Sequence, residues 1–257
     1  GIDAADYDRS GYPGLLVTNF SNQMLALYHN ERNGLFVDTA PSSEIGRSSL
    51  LTLGFGCFFF DYDLDGWPDF YVADGHLDDS IERIQQRIRF AEPPHLYHNL
   101  AGKGFQDVAA SMGPSFDAPR VARGAAYGDI NNDGAPDIVI TTNAGPASLF
   151  LNQGTTNHAL RIKLVGTKSN RDGIGAVVSV QSATTFQKQM LRSGSSYLSA
   201  SELILTFGLG SSTKADSIEV RWPSGAVDHL SNLAADQIIT IREGSGAIAT
   251  HALAERQ

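Results

Sequence analysis

The chain has almost no sulfur chemistry and a shortage of positive charge. Cys57 is the single cysteine in 257 residues, so no intrachain disulfide can form. It lies in the apolar run Cys57-Phe58-Phe59-Phe60, which predicts a buried, inert thiol. Lys and Arg number 19 against 28 Asp and Glu, a formal net charge of −9. That balance argues against a nucleic-acid partner, whose binding rests on Lys and Arg contacts to phosphate. No run is long and apolar enough to predict a membrane span, and no signal peptide is visible. The chain also lacks a Gly-x-Ser-x-Gly elbow, a His-Glu-x-x-His pair and a phosphate-cradling glycine loop. These absences weigh against an enzyme. A glycosidase would need two free carboxylates beside a cleft, and Asp78, Asp79, Asp117 and Glu202 would serve only if the fold gathered them.

What the chain does have is one acidic loop, repeated. Asp61-Tyr62-Asp63-Leu64-Asp65-Gly66-Trp67-Pro68-Asp69 is one copy and Asp129-Ile130-Asn131-Asn132-Asp133-Gly134-Ala135-Pro136-Asp137 another. Asp6-Tyr7-Asp8-Arg9-Ser10-Gly11-Tyr12-Pro13-Gly14 is a worn third. Oxygen side chains at loop positions 1, 3, 5 and 9, with a turn-making Gly at 6, suit a hard cation such as Ca2+. The expected ligands are Asp61, Asp63, Asp65, Asp69 and the Trp67 carbonyl in one copy. In the next they are Asp129, Asn131, Asp133, Asp137 and the Ala135 carbonyl. Asp6, Asp8 and Ser10 form a weak or empty third site, with Gly14 at position 9. The competing reading is a plain Asp/Asn/Gly turn with no ion.

An EF-hand begins the same way but needs Glu at position 12 and helices on both sides. Position 12 is Val72 or Ile140, and the flanks Phe70-Tyr71-Val72 and Ile138-Val139-Ile140 read as strands. Each loop therefore closes a β-hairpin. A short strand pair follows each time, built on Leu27-Tyr28-His29-Asn30, Leu96-Tyr97-His98-Asn99 and Leu149-Phe150-Leu151-Asn152. Four strands per repeat predict propeller blades. The second unit carries an insertion over 74–94, where Ile81, Ile84 and Ile88 on one face predict a helix near 80–90 with Asp79 and Glu82 as a capping box. From 157 the acidic loops stop. Leu160, Ile162 and Leu164 alternate with Arg161 and Lys163, which predicts a separate antiparallel β domain over 157–243 with one wet face. Residues 244–257 read as a loose tail.

The acidic loops and their flanking strands resemble FG-GAP/VCBS repeats, the blades of integrin-alpha-type propellers. The segments Gly166–Ala176, Gly194–Ser199, Phe207-Gly208-Leu209-Gly210 and Val220–Gly225 resemble, in order, the ASPIC/UnbV domain. The pairing is similar to that of a family with many bacterial members. The resemblance implies an all-β fold, a propeller of about seven blades capped by the small β domain, whereas this chain shows a partial propeller of three blade units over 1–156. It also implies a calcium-binding chain that is secreted, periplasmic or on the cell surface, with no enzymatic activity established for the family. Three blades are too few to close a propeller. With Gly1 opening the chain near an acidic loop, upstream blades or an oligomeric partner are expected.

In such a blade the metal loops share one face and the 74–94 insertion opens on the other. Asp74, His76, Asp78 and Asp79 cluster at its start as a candidate ligand or transition-metal site. A polar loop and helix cap is the plainer reading. Asn170-Arg171-Asp172-Gly173 is either a second polar site or a salt bridge to the propeller. His95 and His98, three apart in a strand, face opposite ways and read as structural. The function expected is a calcium-rigidified recognition or adhesion module for a protein or glycan. The alternatives are an enzyme or accessory protein of carbohydrate or natural-product metabolism, or a purely structural part of a larger secreted chain.

Overall fold

The computed structural model describes residues 1–183 and 185–255, and is built almost wholly of β-strands. Strands β1 (Ile2–Ala5), β2 (Gly14–Val17), β3 (Ala26–Asn30) and β4 (Phe36–Asp38) form one antiparallel sheet in chain order. Strands β5 (Gly54–Phe60), β6 (Asp69–Asp74), β7 (His95–Asn99) and β8 (Phe105–Asp107) repeat the meander. Strands β9 (Ala122–Gly128), β10 (Asp137–Thr142) and β11 (Ser148–Phe150) form a third sheet. In every sheet the acidic loop joins the first two strands, so the loops share one end of the blades.

The aromatic run of β5 explains the stacking. Successive strand residues point to opposite faces. Cys57 and Phe59 pack with Tyr7, Leu16 and Leu27 of the first blade. Phe58 and Phe60 pack with Ala125, Ile138 and Ile140 of the third. The middle blade is buried on both faces, which is why its strands read as continuous apolar runs. Burial also pushes the Cys57 thiol up to about 12, consistent with an inert cysteine.

The second half holds β12 (His158–Val165), β13 (Val177–Gln181), β14 (Phe186–Met190) and β15 (Ile204–Gly210), then β16 (Lys214–Arg221), β17 (Val227–Ala234), β18 (Gln237–Arg242) and β19 (Gly246–Ala252). They make two sheets, ordered β15-β12-β18-β19 and β14-β13-β16-β17. Leu160, Ile162, Val178, Phe207 and Trp222 lie in the core between them. Trp222 also donates its indole N–H to Asp228 at 2.7 Å, while neighbouring Arg221 faces solvent.

Four expectations need correction. The sheet is mixed, because β12 and β18 run parallel. Residues 246–252 are no loose tail: they pair antiparallel with β18 from Gln237↔Ala252 to Arg242↔Gly246. A free strand edge offers backbone partners to any extended segment, so side-chain polarity misleads there. The expected 80–90 helix is one turn, Ile81–Ile84. Asp78 rather than Asp79 accepts the Ser80 N–H, and Ile84 is exposed while Ile81 and Ile88 are buried. Finally, Arg161 does not face water. It is fully buried, because that face of β12 lies against the acidic loops.

The second domain is seated on the loop end of the blades through glycine. Gly208 of β15 lies so close to the second loop that a Cβ would overlap Asp61 Oδ2 and the Leu64 backbone. The Gly210 N–H donates to the Leu64 carbonyl at 3.0 Å, and Asn157 Nδ2 donates to the Asp63 carbonyl at 2.9 Å. Gly208→Ala is therefore expected to cost about 1–3 kcal/mol through overpacking. A denaturation midpoint equal to wild type would contradict this seat.

A second lock lies inside the β domain. The Glu243 carboxylate accepts the backbone N–H groups of Thr167, Lys168 and Ser169 at 2.7–2.8 Å and the hydroxyls of Ser169 and Ser224. The Ser224 hydroxyl and these N–H groups hold its pKa far below the ordinary 4.5, outweighing desolvation. A depressed native value stabilises the fold fully above the unfolded pKa and loses that contribution as pH falls through the native one. The melting gap between wild type and Glu243→Gln is thus expected to be constant at neutral pH and to shrink below about pH 4.5. Melts from pH 7 to 3 check this, and a gap that ignores pH would contradict it.

Candidate metal centre

All three loops adopt one backbone shape. Position 4 is left-handed in each (Arg9, Leu64, Asn132, φ +54 to +62), and so is the Gly at position 6 (Gly11, Gly66, Gly134, φ +84 to +90). A leucine in that region is strained by roughly 1–2 kcal/mol. Leu64 is held there by complete burial against Ala135 and Ala159. The shape turns the Gly66 and Gly134 N–H groups onto the first Asp of the loop, at 2.8 Å to Asp61 Oδ2 and 2.7 Å to Asp129 Oδ2.

The ninth Asp ties the loop to its sheet. Asp69 accepts the N–H groups of Tyr62 and Asn99, and Asp137 those of Ile130 and Asn152. The Asn side chains then reach backward one blade. Asn99 Nδ2 donates to the Pro68 and Tyr7 carbonyls, and Asn152 Nδ2 to those of Pro136 and Tyr62. These asparagines end the Leu-Tyr-His-Asn and Leu-Phe-Leu-Asn segments already visible as a repeat.

The loops differ in what meets their charge. In the second, one carboxylate oxygen each of Asp61, Asp63 and Asp65 lies within 4.8 Å of the others. Ligands 2.3–2.6 Å from a shared calcium span about that distance. Asp61 Oδ1 is sealed from solvent with no hydrogen-bond partner. Burial, then the charges of Asp69, Asp65 and Asp63, hold Asp61 well above the usual carboxylate range, and burial also raises Asp65. Such crowding is relieved by a proton or a cation. The residues present therefore fit a hard dication. His98 adds a nitrogen 3.4 Å from both Asp63 and Asp69, so Asp63, Asp69 and His98 form an overlapping set. Sequence reasoning missed His98; its place in the shared Leu-Tyr-His-Asn segment was the available signal.

The third loop is met by protein. Arg161 Nη1 lies 3.0 Å from Asp129 Oδ2, and Nη2 lies 2.6 Å from Glu202 Oε2. Asp133 accepts the Ala135 N–H and the Asn131 amide. In the first loop Asp6 accepts the Gly11 N–H, Asp8 pairs with His29 at 2.9 Å, and Ser10 binds within the turn. Arg9 leaves that loop to donate to the Gly66 carbonyl and to cover the Trp67 ring at 3.6 Å.

The insertion residues do not assemble a chelate. Asp74 and His76 are buried, Asp78 caps the turn and Asp79 faces solvent. None belongs to the ligand-spaced clusters among the described residues. His95 turns away from His98 and pairs with Asp107 at 2.7 Å. Arg171 is exposed beside Asp172, with no ion pair to the propeller among the described residues. That task falls to Arg161 and to Arg192, which pairs with the buried Asp3 at 2.6 Å. Asp78, Asp79, Asp117 and Glu202 are likewise not gathered, since Glu202 is committed to Arg161. Burial lifts Asp74 to about 7 and Glu92 to about 8, yet both are almost fully buried at the two ends of the insertion. A cavity of about 390 Å3 opens instead between the blades and the second domain, lined by Phe59, Asp61, Tyr127, Arg192, Glu202 and Thr206.

Residues 6–72 match the FG-GAP-like repeat, and residues 166–248 match ASPIC and UnbV. Cartilage acidic protein 1 of Mus musculus is 25% identical over 248 residues, covering 77% of this chain and 38% of the relative. The protein of that name from Xenopus tropicalis is 26% identical (88% and 34%), and the Homo sapiens one 25% (88% and 33%). The chain thus spans between 33% and 38% of the length of these relatives. No helix among the described residues is long and apolar enough to cross a membrane. The chain thus carries a segment similar to the FG-GAP-like repeat ahead of one similar to ASPIC and UnbV.

Proposed function

We propose that this chain is a calcium-stiffened recognition scaffold working outside the cell, in the periplasm or at the cell surface. The observation that carries the reading is Asp61 Oδ1, a sealed carboxylate oxygen with no partner beside ligand-spaced Asp63 and Asp65. A calcium ion there would supply the missing partner. Asp61, Asp63, Asp65 and Asp69 would hold it, with the Trp67 carbonyl. The similarity to proteins named for cartilage supports the extracellular setting. Extracellular modules commonly bind calcium with affinities of only about 10⁻⁴–10⁻³ M.

The ion's task is structural. The second loop touches the first blade through Arg9, the third through Asn152 and the second domain through Gly208. An ion that stiffens this loop therefore stiffens three contacts together. The partner is a protein or glycan. Two places fit it: the face carrying the 74–94 insertion, and the cavity between blades and second domain, whose volume lies in the usual small-ligand range. The enzyme reading gains little from Asp74 and Glu92. They are 1% and 2% exposed, and an acid–base pair must reach its substrate.

Removing calcium with EDTA is expected to lower the melting temperature, and adding it back to restore it. Binding to the native state alone contributes about 2.7 kcal/mol at a hundredfold excess over Kd. Asp61→Ala should melt low in either condition and ignore calcium. Identical melts of wild type with and without calcium would sink the proposal.

A further inference from the structure

The second and third loops are near copies in sequence, yet their charge is met differently. In the second, Asp61 Oδ2 accepts the Gly66 N–H and Oδ1 has no partner. In the third, Asp129 is saturated. Its Oδ1 accepts the Asp133 N–H at 3.0 Å. Its Oδ2 accepts the Gly134 N–H at 2.7 Å and lies 3.0 Å from Arg161 Nη1. Arg161 comes from β12 of the other domain and is fully buried, so its charge depends on these partners. Its second nitrogen is held by both oxygens of Glu202, at 2.6 and 2.7 Å. Glu202 in turn accepts the Asp129 N–H at 3.2 Å.

We infer that Arg161 is the cation of the 129–137 loop and that this loop works as an interdomain clasp, leaving 61–69 as the calcium loop. The inference rests on the calcium reading of that second loop. A guanidinium 3.0 Å from Asp129 opposes a dication at the same carboxylate. Asn131 turns its amide N–H onto Asp133 Oδ2 at 2.9 Å, so a second acid of the loop is also engaged from within. Among the described residues, Asp61, Asp63 and Asp65 of the second loop reach ligand spacing, whereas the third loop has Asn131 where the second has Asp63, one carboxylate fewer at that point. The second domain touches the third loop at two further points, while Ile130, Asn131 and Asn132 stay exposed. The Ala254 N–H donates to the Asn132 carbonyl at 2.7 Å, and Ala135 packs on Ala159.

The test is calorimetric titration of calcium chloride into the EDTA-stripped full chain, for wild type, Asp61→Ala, Asp129→Asn and Arg161→Gln. The expected result is one equivalent in wild type, lost in Asp61→Ala and kept in Asp129→Asn. Two equivalents in wild type, one of them lost in Asp129→Asn, would overturn the inference. No binding in wild type would instead overturn the calcium reading, and the clasp is then judged by melting. Arg161→Gln should melt several degrees below wild type with or without calcium. Equal melting of the two proteins would overturn the clasp.

Discussion

Carboxylates that are buried need a counter-charge, and the architecture of this chain follows from where that charge comes from. Each acidic loop folds several oxygens into a tight turn at one end of a blade. The second domain then covers that end, taking Asp61 and Asp129 out of water. In water such acids repel weakly; under a protein lid the repulsion grows as the dielectric falls. Some partner must be present for the two halves to close.

The partner differs from loop to loop. His29 reaches Asp8, Arg161 reaches Asp129, and the second loop keeps an unpartnered oxygen with His98 at its rim. The second loop is also the most connected, touching both neighbouring blades and the β domain. Its stiffness therefore sets the relative position of everything around it. An ion placed there would act on all of these contacts.

This arrangement gives the motifs of the second domain physical meaning. Gly208 in Phe207-Gly208-Leu209-Gly210 is the point of closest approach to the second loop, where a side chain has no room. The 166–170 turn is shaped by three N–H groups converging on Glu243. Arg161 sits on the outer face of its sheet, a position that patterning assigns to water.

The loops and the strands beside them were legible because they are local, although the third sheet has three strands where four per repeat were expected. A turn needs its Gly, and a strand needs its alternation, whatever lies nearby. The helix over 80–90 was misread because Ile84 is exposed while Ile81 and Ile88 are buried, so one helical turn is enough to place the buried pair. The tail was misread because a strand edge recruits backbone, which composition does not reveal. His98, Arg161, Glu202 and Arg9 were missed as parts of the loops because they arrive from other strands or another blade. Sequence by itself determined which turns concentrate negative charge. Only the tertiary structure decided which charge is answered by protein and which is left open, because a counter-ion supplied across a domain interface has no signature in the spacing of residues along the chain.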